Sequence, residues 1–123
     1  MGIFKRFSKE CETSDAHEDV TLQTRYYKES GRKMVEEIKG LIEKVGYRVI
    51  SVSVDRGEIM AQRPRDKSGL LVVSVVQLTP IKTAVDVKNS TDLFIPTGAQ
   101  PKLKQEILSI YAELKKKFQE IDG

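Results

Sequence analysis

The side chains able to do chemistry in this chain are few and loosely spaced. Its one cysteine, Cys11, and its one histidine, His17, stand among Glu12, Asp15, Glu18 and Asp19. Thiolate, imidazole and carboxylate all ligate metals, but a site needs a scaffold that fixes their geometry. The stretch around them is polar and without hydrophobic period, so these acids read as surface charge, and neither a metal nor a cofactor is expected. Asp86 and Asp92 are a second candidate pair. Two carboxylates become an acid and a base only where burial or a neighbour drives their pKa values apart, and solvated charge is the default. Arg63, Arg65 and Lys67 fall in one segment, PRDKSG and the residue before it. Guanidinium forks match phosphate oxygens, so these three are the candidate anion-binding residues. Tyr26 and Tyr27 read as packing residues, because the strands lack the spaced aromatics on which RNA bases stack. The chain has no GxGxxG, no phosphate-binding Walker loop, no paired metalloprotease histidines and no GxSxG. A catalytic triad would have to recruit His17. The expectation is a non-catalytic protein.

Composition narrows the classes further. The chain has 123 residues, 39% hydrophobic and 32% charged, with a net charge of +3. That suits one soluble globular domain with a core of its own. A lone cysteine excludes an internal disulfide framework, and no apolar run is long enough to span a bilayer. Between Lys44 and Lys88 there are eight basic and four acidic residues, so the positive excess sits in the middle of the chain. Such a block is compatible with anionic phospholipid or nucleic acid as a partner. At the start, Ile3, Phe4 and Phe7 beside Lys5 and Arg6 form a small basic and apolar tip, which is read as a frayed terminus rather than a membrane anchor. Gly2 lacks the Ser or Thr at position six of a myristoylation motif; Arg6 stands there. No secretion signal is present, so the cytoplasm is expected, and the Asn89-Ser90-Thr91 spacing is read as chance rather than glycosylation.

The hydrophobic pattern supplies the elements that position these groups. Residues 1–19 are read as a flexible segment and 20–123 as the domain. Residues 20–28 admit either a short strand or a helical lead-in. Ser30 is a helix cap, and Met34, Ile38, Leu41, Ile42 and Val45 repeat at helical spacing, which predicts a helix over 30–45. Gly40 within it is read as a close approach to the sheet. From Tyr47 the period becomes two. Strands are predicted over 47–55, 59–63, 70–78 and 81–88, with Arg56-Gly57 as a two-residue hairpin loop that sets Val54 opposite Ile59 and Val52 opposite Ala61. A second helix starts near Pro101, where a proline's missing amide hydrogen costs nothing, and carries a stripe of Leu103, Ile107, Ile110, Leu114, Phe118 and Ile121.

Short links pair such strands antiparallel. The fold class is therefore α+β: a four-stranded antiparallel sheet, with room for a fifth short N-terminal strand, in the order helix, four strands, helix, and with both helices on one face. The strand over 70–78 is apolar on both sides. Leu71, Val73 and Val75 are assigned to the face away from the helices, as an association surface covered by residues 20–27, by a protein partner or by a second copy in a homodimer.

The stretches Tyr26-Tyr27-Lys28, Gly57-Glu58-Ile59 and Thr83-Ala84-Val85-Asp86-Val87 resemble those of small cytosolic proteins from Gram-positive bacteria that have no established activity. That resemblance spans residues 20–121 and implies a shared fold without carrying over any site. The helix, four strands, helix order is also similar to that of the kinase-associated phospholipid-binding domain, as an analogy of fold alone.

Overall fold

The structure is a computed structural model and describes residues 9–123. The elements run β1 (Glu10–Glu12), a 3-10 turn (Val20–Leu22), β2 (Arg25–Tyr27), α1 (Gly31–Lys44), β3 (Arg48–Ser53), β4 (Glu58–Arg63), β5 (Asp66–Thr79), β6 (Lys82–Ser90), α2 (Gln100–Lys117) and β7 (Glu120–Ile121). All seven strands form one antiparallel sheet in the order β3-β4-β5-β6-β2-β7, with β1 also paired to β6. The fold is α+β as expected, but the sheet has seven strands rather than four. The three additions are very short. β1 and β2 lie in line along the far edge of β6, against Lys88–Ser90 and Thr83–Val85, and β7 adds to β2. β2 is the short N-terminal strand that the sequence left room for, whereas β1 and β7 carry too little alternation to be read from sequence.

Residues 10–19 thus belong to the fold, against the expectation of a flexible segment up to residue 19. Cys11 points into the core, and the Thr13 amide donates to the Val87 carbonyl at 2.9 Å. The basic and apolar tip at residues 3–7 lies outside the described residues. Residues 20–28 turn out to hold both of the alternatives, a 3-10 turn followed by a strand.

α1 begins where Ser30 accepts from the Lys33 amide at 3.4 Å. It ends at Lys44, and Gly46 takes the left-handed conformation with φ +105° that side chains resist. A Cβ added at Gly40 would meet nothing within 4 Å, so that glycine marks no close approach. α2 has no side-chain cap and places Pro101 in its first turn. Met34, Val35, Ile38, Leu41 and Ile42 of α1 share one core with Leu103, Ile107, Ile110, Tyr111 and Leu114 of α2 and with Ile59, Ala61, Leu71, Val73, Val75, Val85 and Val87 of the sheet. Both helices therefore pack on one face.

Two registers differ from the expected ones. In the β3–β4 hairpin Val52 pairs with Ile59 and Ser53 with Glu58, so the loop has four residues, and an irregularity between Val49 and Ser51 leaves Ile50 out of the ladder. In β5, Leu71, Val73 and Val75 pair with Asn89, Val87 and Val85 on β6. Residues directly opposite share a face, and Val85 and Val87 face the helices. Leu71, Val73 and Val75 consequently lie in the core, at 5% exposure or less. They are covered as expected, but by the protein's own helices, and the assignment to the outer face is corrected.

Candidate interaction surface

The strongest cluster of charge in the molecule is buried. β4 and β5 are joined by only Pro64 and Arg65, so Arg63 pairs with Asp66 across the turn, beside an irregularity that begins after Ala61. That turn aims Arg63 inward, where it is 6% exposed. Its Nε donates to Glu106 Oε1 at 2.9 Å, Nη1 to Asp66 Oδ2 at 2.9 Å, and Nη2 to Asn89 Oδ1 at 2.8 Å and the Ser90 carbonyl at 2.6 Å. Asp66 is equally occupied: Oδ1 accepts from the Ser68 hydroxyl and from the Ser68 and Gly69 amides, and Oδ2 from Thr91 Oγ1. Burial opposes ionisation of Asp66, but the Ser68 and Thr91 hydroxyls and the Arg63 charge outweigh it and hold the carboxyl below its ordinary value. Gly69 is required here, since a Cβ would stand 1.8 Å from Arg63 Nη1. Burial pushes the Tyr47 hydroxyl up to about 12, with the Glu106 charge adding to the effect. Each of the three guanidinium nitrogens donates to at least one acceptor, four bonds in all. The cluster locks the β4–β5 turn and β6 onto α2, and presents nothing to a ligand.

This placement removes the centre of the expected anion-binding trio. Arg63 is consumed inside, Arg65 is exposed at the turn, and the side chain of Lys67 lies outside the described residues. Committed to internal partners, Arg63 is not free to join Arg65 in a phosphate site.

The other candidates are also committed or apart. Asp86 Oδ1 accepts from the Thr13 and Thr24 hydroxyls, each at 2.7 Å. Thr13 Oγ1 in turn accepts from the Val87 amide at 2.9 Å and from the Tyr111 hydroxyl at 3.2 Å, which also lies 3.0 Å from the Val85 carbonyl. This chain of bonds fills the gap between β1 and β2, where β6 has no strand beside it. Asp92 lies in the exposed loop after β6. His17 Nδ1 accepts from the Asp19 amide while Cys11 faces the core. Among the described residues no cluster of three His, Cys, Asp or Glu side chains is arranged to hold a metal. Tyr27 is packed at 0% exposure, edge-on to Phe118, and its hydroxyl has no partner.

What the structure leaves open is the outer face of the sheet. Cross-strand pairing places Gln62 near Leu70 and Ser90, Met60 with Val72 and Lys88, Glu58 with Ser74 and Asp86, and Val76 with Ala84 and Tyr26. The outer side of β5 is therefore apolar at Leu70 and Val72 and again at Val76, with a polar row of Glu58, Ser74 and Asp86 crossing between them and Lys88 beside Val72. At its end Val76 and Leu78 are each 53% exposed, and Ile81 is exposed in the turn. At this end of the sheet a depression of about 460 Å³ opens between the start of α1 and the β3–β4 turn, lined in part by Gly31, Arg32, Asp55, Arg56 and Gln77, and is separate from the open face. Among the described residues neither helix covers this face, and no helix is long and apolar enough to cross a membrane. The two-sided apolar run of β5 is the sequence signal for this surface, and the register with β6 turns Leu70, Val72 and Val76 outward in place of Leu71, Val73 and Val75.

No protein-family model, no curated protein and no solved structure matches the chain.

Proposed function

We propose that this protein is a non-catalytic association domain that docks a protein partner on the open face of its sheet. The observation that carries the reading is the exposure of Val76 and Leu78 on a strand whose other face already fills the core. Antiparallel sheets with helices on one side ordinarily show a polar outer face. Here Leu70, Val72 and Val76 stand on that face, with Glu58, Ser74, Asp86 and Lys88 between and beside them, a mixture of apolar and polar side chains of the kind that interfaces carry. The commitment of Arg63, Asp66 and Asp86 to internal bonds supports a binding role over catalysis. The resemblance to small bacterial cytosolic proteins adds no activity to this reading.

The test is photo-crosslinking inside cells, with a photoreactive side chain at Val76 and, in a second preparation, at the exposed Lys102 on α2. A discrete adduct from position 76 that is absent from position 102 supports docking on this face. Failure of position 76 to give any adduct beyond that of position 102 overturns it.

A further inference from the structure

We infer that β3 pairs with β3 of a second copy of this chain, antiparallel and about a two-fold axis through Val52. This concerns the edge of the sheet and is independent of what docks on its open face. β3 ends the strand order, and among the described residues nothing pairs with its far side. A free edge is a template for another strand, and proteins blunt such edges with charge, proline or irregularity. Residues 49–54, VISVSV, contain no charge, proline or glycine, and the charged residues Arg48 and Asp55 stand only at the two ends. Ile50 is 51% exposed and Val52 36%.

The sequence of this edge is self-complementary. Read outward from Val52, both directions give serine and then an aliphatic residue: Ser51 and Ile50 one way, Ser53 and Val54 the other. A two-fold axis through Val52, normal to the sheet, sets Val52 against its copy and Ser51 against Ser53, while Ile50, out of the ladder, and Val54, beyond the end of β3, flank the pairing. Such an isologous contact needs one patch that complements itself. Faces agree as well for Val52 and for Ser51 with Ser53. Ser51 and Ser53 pair with Met60 and Glu58 on the outer side, while Val52 pairs with Ile59 on the core side. An axis through Ser51 instead would set Val49, on the core side with Ala61, against outward Ser53. The irregularity at Ile50 limits the ladder to a few residues. The contact is therefore small, in the class of weak, exchanging interfaces, and the dimer is expected to form reversibly with rising concentration.

Cysteine pairs read this register directly, since Cys11 is buried. Under mild oxidation Val52→Cys alone should give a disulfide-linked dimer. Ser51→Cys and Ser53→Cys should each stay largely unlinked alone and link when mixed. Sedimentation should show the unmodified protein shifting from monomer toward dimer between micromolar and millimolar concentration, and Val52→Lys, which sets two like charges face to face, should abolish the shift while keeping the melting temperature. A strict monomer across that range with no V52C disulfide overturns the inference. So does a dimer that survives V52K, or links that ignore the 51–53 pairing. Crosslinking from Val76 is unaffected by any of these results, so the two readings fail separately.

Discussion

The two faces of β5 are both largely apolar, with Ser74 breaking the outer one, and meet different surroundings. On one face Leu71, Val73 and Val75 are buried under α1 and α2. On the other, Leu70, Val72 and Val76 belong to the open face, and Val76 is 53% exposed. Burying a leucine or valine contributes about 1.5–3 kcal/mol. The inner row realises that in the monomer, and the outer row holds it in reserve for association. The inner face also ends in a closed polar cluster at Arg63, whereas the outer face ends in exposed Leu78 and Ile81. Apolar content alone therefore does not separate core from interface; what covers the strand does.

The sharpest break of this comparison is one substitution made on both faces. Val73→Asp places an isolated charge in the core, a cost comparable with the whole stability of a domain, about 5–15 kcal/mol. It is expected to abolish the cooperative melting transition. Val76→Asp is expected to leave stability within about 0.5 kcal/mol while eliminating crosslinks from a neighbouring photoreactive position. Thermal melts followed by circular dichroism compare the two, and equal losses would refute the face assignment.

Next in size is the polar end of the packed face. Arg63→Ala strands Asp66, Asn89 and Glu106 without their shared donor, and should cost about 3–5 kcal/mol in denaturant unfolding. Arg65→Ala, one turn residue away on the surface, should cost about 0.5 kcal/mol or less. If the two cost the same, the buried network is not what holds the turn.

A pair of tyrosines sharpens the contrast between satisfied and unsatisfied burial. Tyr111→Phe deletes a hydroxyl bonded near Thr13 and the Val85 carbonyl, and should destabilise by about 1 kcal/mol. Tyr27→Phe removes a buried hydroxyl without a partner, and should stabilise by about 1 kcal/mol or more. Denaturant midpoints give the signs, and a loss in Tyr27→Phe would mean that its hydroxyl has a partner.

The smallest expected effect lies in the acid limb. The Asp66 carboxyl is held below its ordinary value of 3.8 in the fold. Its contribution to stability is present above 3.8 and is lost as pH falls through the lower folded value. Asp66→Asn should therefore be less stable than the parent near neutrality and show a shallower decline below pH 3.8. Stability measured on acid titration checks this; an unchanged decline in the variant would assign the acid limb to other carboxylates.

Much of the architecture was legible in the residues. Ser30 caps the helix expected over 30–45, which closes one residue earlier at Lys44, and Pro101 stands in the first turn of α2 as its missing amide hydrogen suggests. These succeed because capping, helical period and strand alternation are local, and one polar and one apolar side leave a single solution. The candidate site was barely legible. The surplus of apolar residues on β5 was visible, but the face it opens onto was not.

Local pattern determined the two helices, the four long strands and their antiparallel order, since each rests on residues within a few positions of one another. Tertiary structure alone decided which face of β5 turned inward. In Leu70-Leu71-Val72-Val73 both alternate sets are apolar, so pattern is silent and register comes from pairing with β6 and the tight turn at Pro64-Arg65. It likewise decided that Arg63 is a core residue, because its partners Asn89 and Glu106 are distant in the chain. It decided too that residues 10–12 and 120–121 are strands, for their backbone bonds exist only where β6 and β2 offer an edge.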